Sequence, residues 1–172
     1  MKDLLTIPIV LAMLVAVLTG CSGKDGAETA KTPEELTQLY ADAIAQNGGE
    51  MVEYNPVISE EKEDDSSSLV LETLGLQTDD MQAFGISASM MNVQAYGIAA
   101  IMPADGKTEA VQEALQGFID CQRQSFEQYL ADQYEVAKNA RLETLEDGTI
   151  LMVMCQDQDA VFDAISTAIL AG

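Results

Sequence analysis

The chain has no histidine, no tryptophan, three cysteines, and eight lysines and arginines against 29 acids. Without histidine, a Ser-His-Asp triad, a Cys-His pair and a His-ligated zinc site are excluded within this chain. Catalysis would have to rest on carboxylates, tyrosine, lysine or a Ser-Lys pair. Without tryptophan and with five tyrosines, there is little aromatic surface on which a sugar could stack. Asp157, Asp159 and Asp163 are close in sequence, but they fall at the start and on the outward side of a helix. That placement does not suit a glycosidase carboxylate pair. The scarcity of bases leaves a formal charge of −21, and removing residues 1–20 takes away one Lys and one Asp and changes nothing. Such a polyanion is repelled by nucleic acid backbones and anionic headgroups. No nucleic-acid partner is expected. Cationic partners and divalent metals are compatible with the charge, although an acidic surface is first of all solubilising.

Long apolar runs are also missing. The longest, Leu4 to Leu18, is broken only by Thr6 and Pro8 and follows Lys2. It is too short for a comfortable membrane span and typical of a signal-peptide core. It ends in Leu18-Thr19-Gly20-Cys21, which resembles the bacterial lipobox: an apolar residue, two small residues and a cysteine. A peptidase that cuts before Cys21 needs the small neighbours, and the thiol is the atom to be alkylated by a diacylglycerol. Residues 1–20 are therefore read as a lipoprotein signal peptide, Cys21 as the lipidation site and residues 21–32 as a flexible tether. The expected location is the outer face of the cell membrane, held by the lipid on Cys21.

Residues 33–68 are read as an N-terminal helix and an acidic loop. Thr32-Pro33-Glu34-Glu35 is a capping-box start. Leu36, Leu39, Tyr40, Ala43 and Ile44 then repeat at helical spacing, and Asn47-Gly48-Gly49 stops the helix. Glu60 to Ser68 is a run of charge and serine without period. It lacks the alternating ligands and the glycine of a calcium loop. Residues 69–172 are read as an α+β domain. Phe84, Ile86, Ala88 and Met90 share one face of a strand. Ile98, Ala100 and Met102 share a face of the next, whose other face (Ala99, Ile101) is also apolar. A strand apolar on both faces lies mid-sheet under cover, or meets a partner on one side. Thr108 is read as the cap of the longest helix, with a stripe through Val111, Leu115, Phe118, Ile119, Gln122, Phe126 and Tyr129. Asp147-Gly148 marks a two-residue hairpin between Arg141–Leu145 and Ile150–Cys155. A last helix is capped by Asp157 or Asp159 and turns Val161, Phe162, Ile165 and Ile169 inward.

This order predicts an antiparallel sheet of about four strands, ββαββα, with helices packed on one face plus the N-terminal helix. Ile98, Ala100 and Met102 are expected to face the long helix, and Ala99 and Ile101 the other side. Cys121 and Cys155 are read as two buried free thiols, with a disulfide the alternative. Met81, Met90, Met91, Met102, Met152 and Met154 are read as core filling. No catalytic residue, cofactor or metal ligand is expected.

The segments Met90-Met91-Asn92-Val93-Gln94-Ala95, Ile98-Ala99-Ala100-Ile101, Asp105-Gly106 before the long helix, and Tyr129 to Glu135 resemble a group of lipoproteins from gut-type Firmicutes, the domain of unknown function family 4358. The resemblance runs from about Leu69 to Leu170. The chain departs from that pattern at Ala131, where proline is common, and at Tyr96-Gly97, where charged residues are common. The resemblance implies an anchored, secreted α+β domain and nothing catalytic. The expected function is a binding or protein-interaction module of a Gram-positive envelope. The alternatives are an envelope enzyme using carboxylate or tyrosine chemistry and a self-associating structural component.

Overall fold

The computed structural model describes residues 31–61 and 66–172. The signal peptide, Cys21, most of the tether and residues 62–65 of the acidic loop lie outside the described residues. Among the described residues, no helix is long and apolar enough to cross a membrane.

Helix α1 (Pro33–Asn47) starts with the expected capping box: Thr32 N–H donates to Glu35 Oε2 at 2.8 Å, and Glu35 N–H donates to Thr32 Oγ1 at 3.2 Å. A single turn, α2 (Met51–Tyr54), follows, then α3 (Ser66–Leu74). Ser66, Ser67 and Ser68 thus form the first turn of α3 rather than the end of a loop. The remaining order is β1 (Met81–Ala88), β2 (Gly97–Pro103), α4 (Thr108–Phe126), α5 (Ala131–Lys138), β3 (Arg141–Thr144), β4 (Ile150–Met154) and α6 (Gln158–Ala171). The four strands form one antiparallel sheet in the order β1-β2-β4-β3. This is the expected α+β, ββαββα layout after α1. Helix α5 is additional: Ala137 is its one buried residue, so it has no apolar stripe to betray it.

The helices cover both faces of the sheet, not one. Phe84, Ile86, Ala99, Ile101, Ile150 and Met152 pack with Val70 and Leu74 of α3 and with Val111, Leu115 and Phe118 of α4. Ala83, Ile98, Ala100, Leu151 and Val153 pack with Tyr40 and Ile44 of α1 and with Phe162, Ile165 and Ile169 of α6. The expected pairing is therefore reversed. Ala99 and Ile101 face the long helix, while Ile98 and Ala100 lie under α1 and α6, with Met102 packed beside them. Alternation held, but the assignment of the two sets to two faces did not. Met81 and Ala83 fall on opposite faces although two residues apart, because a register shift interrupts the β1–β2 ladder between them.

The β3–β4 connection is a three-residue loop, not a two-residue turn. Gly148 N–H donates to the Leu145 carbonyl at 3.0 Å, Leu145 N–H donates to the Thr149 carbonyl at 2.7 Å, and Gly148 has φ 91°. A tight turn followed by a glycine with positive φ is the usual three-residue solution. The loop also fastens α1. Tyr40 Oη lies 2.7 Å from Thr149 Oγ1, and Thr149 Oγ1 donates to Asp147 Oδ2 at 2.8 Å. Thr149 has one hydroxyl proton, so Tyr40 must be the donor to it.

Tyr40 and Thr149 are both 0% exposed, so removing either partner has unequal effects. Thr149→Val strands a buried phenol and should cost about 1–3 kcal/mol, whereas Tyr40→Phe removes both the donor and its need and should cost about 1 kcal/mol. Burial, opposed by the Thr149 hydrogen bond and aided by the Asp147 charge, pushes the Tyr40 hydroxyl up to about 12. A raised phenol means stability present below pH 10 and lost as pH climbs towards 12. Denaturant titrations of both variants against pH check this: the alkaline loss should be smaller in Tyr40→Phe.

Candidate functional site

At the end of the sheet where β2 begins and β4 ends, four separate segments surround a cleft of about 450 Å³. The turn after α1 and α2 supply Gly48, Gly49, Glu50, Met51 and Tyr54. The β1–β2 connection supplies Gln94, Ala95 and Tyr96. Helix α5 supplies Gln133 and Val136, and the β4–α6 junction supplies Cys155, Gln156, Asp157 and Val161. A second hollow, between α3 and the turn before β1, is lined by Glu61, Glu72 and Asp79.

The cleft floor is tied down by hydrogen bonds. Ser87 Oγ donates to the Asn55 carbonyl at 2.6 Å, so the Tyr96 hydroxyl, 3.0 Å from Ser87 Oγ, is the donor to it. Burial pushes Tyr96 up to about 12, against the lowering effect of that hydrogen bond. Cys155 is pushed up to about 11, first by burial and then by the nearby Asp157 charge. At neutral pH both therefore carry their protons, and the Cys155 thiol is a poor nucleophile. The wall is held across the chain by Gln133: Ala95 N–H donates to its Oε1 at 2.9 Å, while its Nε2 donates to Asp132 Oδ2 at 2.9 Å. Among the described residues, Gln94 Nε2 has only the Met51 sulfur, at 3.1 Å. Asp157 takes the N-cap position of α6 with φ 56°, the only positive φ at a non-glycine among the described residues, and makes no side-chain cap.

The expected site residues are placed as follows. Cys21 lies outside the described residues. Cys121 and Cys155 are free; Cys121 is exposed on α4, contrary to the expected burial, and Cys155 is buried in the core across the sheet. Asp159 and Asp163 do not cap α6 or enter the cleft. They bind Arg141, whose guanidinium lies 3.8 Å over the Phe162 ring. Met81, Met152 and Met154 are core, but Met90 and Met91 are exposed in the β1–β2 connection. There Tyr129 Oη, also on the surface, donates to the Asn92 carbonyl at 3.0 Å. Among the described residues, no trio of carboxylates and cysteines is placed to hold a metal ion.

Residues 57–155 match the family described as Domain of unknown function (DUF4358). The chain belongs to this family. The DUF4358 match starts earlier than the resemblance did, taking in Ile58 and its bridge to Ile86, and ends at Cys155, the last residue of the cleft floor. It spans the sheet and the α3–α4–α5 layer. Helices α1 and α6, which cover the other face, lie outside it. The cleft thus combines DUF4358 residues such as Gln94, Tyr96 and Gln133 with Glu50, Met51 and Asp157 from outside the matched stretch. No curated protein and no solved structure matches the chain.

Sequence reading missed Glu50, Met51, Gln94 and Gln133 as a group. Each sits in a stretch with a sufficient local explanation: a helix stop, a strand bend, or a polar passage between elements. The one local signal was the double glycine at 48–49, where an exposed acid follows a stop.

Proposed function

We propose that this chain is a lipid-anchored binding module on the outer face of the cell membrane, with the lipid on Cys21 and the ligand in the cleft at the end of the sheet. The cleft carries the reading. It joins residues far apart in sequence, has a fixed floor and offers apolar and polar groups together, as small-ligand sites do. The apolar run and the Leu18-Thr19-Gly20-Cys21 box support the anchor.

Two experiments test the two halves. Cys21→Ala should abolish lipid labelling and precursor processing together and move the protein out of the detergent phase. Unchanged partition and unchanged gel mobility would overturn the anchor. Crosslinking capture from the native envelope, with the full chain as bait, should yield products that disappear with Val161→Trp, which fills the cleft. Products indifferent to that variant would overturn the cleft as the ligand site.

One observation favours an envelope enzyme as second reading: Glu50 and Asp157 line the same cleft as the Tyr54 phenol. Acid–base pairs need environments that drive their two carboxyl groups apart. Both of these are exposed, which favours binding over turnover. Recovery of a chemically altered ligand after incubation with the chain would decide for the enzyme.

A further inference from the structure

Resting on the cleft as the ligand site, we propose that its ligand is cationic: a primary ammonium or guanidinium on an apolar stem. The charged groups lining the cleft, Glu50 and Asp157, are both acids. Among the described residues, neither carboxylate has a hydrogen bond or an ion pair.

Among the described residues, no base answers them. Lys107 pairs with Asp80, Arg123 with Asp120, Lys138 with Glu135, and Arg141 with Glu143, Asp159 and Asp163. None of these, nor Lys31, lines the cleft. The start of α6 points its positive end at the same place, which by itself would draw an anion. That end is already offset by Asp157 at the N-cap, and an anion in the cleft faces the Asp157 and Glu50 carboxylates.

The other walls suit the rest of such a ligand. Met51, Val136 and Val161 offer a partly buried apolar lining for a stem. Tyr54, 78% exposed in the cleft lining, supplies an aromatic ring on which a cation can rest. The Gln94 amide, held only through its nitrogen by a thioether, leaves its carbonyl oxygen as a further acceptor for N–H donors. A cleft of about 450 Å³ falls within the range of small-ligand sites. A lysine or arginine side chain of a polypeptide and a free diamine share this chemistry.

The test uses the full chain in detergent and calorimetric titration with five probes: a linear aliphatic diamine, the diol and the dicarboxylate of equal length, and a lysine-bearing tetrapeptide with its lysine free or acetylated. The diamine should bind about tenfold more tightly than the diol, the dicarboxylate should not bind, and added salt should weaken the diamine. Glu50→Gln and Asp157→Asn should each weaken it about fivefold. Asparagine tolerates the left-handed backbone at 157, so that variant keeps the fold. Val161→Trp should abolish binding.

Equal binding of diol and diamine, both lost with Val161→Trp, would overturn the cation and leave the cleft reading standing. Diamine binding indifferent to all three variants would place it on the general acidic surface and overturn the inference. Failure of every probe would overturn it too, while the envelope capture would still decide the cleft separately. A tetrapeptide that binds more tightly than both the diamine and its own acetylated form identifies a polypeptide ligand. The reverse order identifies a small amine.

Discussion

Ile101→Asp is expected to leave residues 31–172 unfolded under conditions in which the parent chain is folded. Ile101 is 0% exposed and stands in the middle of β2, paired with Phe84 on one side and Ile150 on the other. Its side chain belongs to the core under α4. A carboxylate there has no cation to meet. An uncompensated buried charge costs several kcal/mol, and the isoleucine packing is lost as well. A domain of this size has only about 5–15 kcal/mol of net stability to lose. The neutral comparison separates the two causes. Ile101→Ala and Ile98→Ala should each cost about 2–5 kcal/mol. The two should be nearly equal, because Ile98 on the opposite face is also 0% exposed. Circular dichroism and urea titration read all three. A folded Ile101→Asp with native far-ultraviolet signal would mean that the α4 face opens, and would restore the idea that a partner docks on the sheet.

Gly85→Val is expected to cost about 3 kcal/mol, although valine is the better strand residue. A Cβ at Gly85 would stand 3.0 Å from the Tyr40 carbonyl carbon and 3.0 Å from the Ala41 nitrogen. Helix α1 therefore rests its backbone directly on β1, and a backbone cannot swing aside as a side chain can. Gly85 does not have a positive φ, so the cost is steric rather than conformational. The smaller unfolded-state entropy of a non-glycine residue works in the opposite direction, by about 0.4–1 kcal/mol. Gly97 is the control. Its added Cβ would lie 2.9 Å from the Phe118 ring and 3.3 Å from the Met152 methyl. These are side-chain atoms that can shift, so Gly97→Ala should cost less than Gly85→Ala. Denaturant midpoints at unchanged slope would check the order. A stabilising Gly85→Val would show that α1 is not seated as described.

Local signals were enough to read most of the elements. Thr32 to Glu35 encodes the start of α1 because its capping bonds lie within four residues. The stripe from Val111 to Phe126 encodes α4 because all five of its buried residues lie on one side of a helix. The double-sided apolarity of Ile98 to Ile101 encodes a central, covered strand, and β2 does lie between β1 and β4. Helix α5 was not legible, since a short helix that buries only Ala137 leaves no period to find.

Alternation divides a strand's residues into two sets and cannot say which set meets which helix. Strands β2 and β3 run parallel with β4 between them, so α4 is part of a crossover. The hand of that crossover, a property of the twisted sheet, chooses the face that α4 covers. That choice put Ile101 rather than Ile98 under α4 and left Ile98 to α1 and α6. The cleft depends on the same step. Glu50, Gln94, Gln133 and Asp157 each belong locally to a stop, a connection, a short helix or a cap. They become neighbours only because the strand order brings the start of β2 beside the end of β4, with Gly97 opposite Met154. By itself the sequence determined the acidic charge, the candidate anchor and the order of the four strands with α1, α4 and α6, since these rest on composition and short-range spacing. The tertiary structure alone decided which faces are core and which residues share the cleft, because long-range strand pairing and crossover hand leave no mark within a local window.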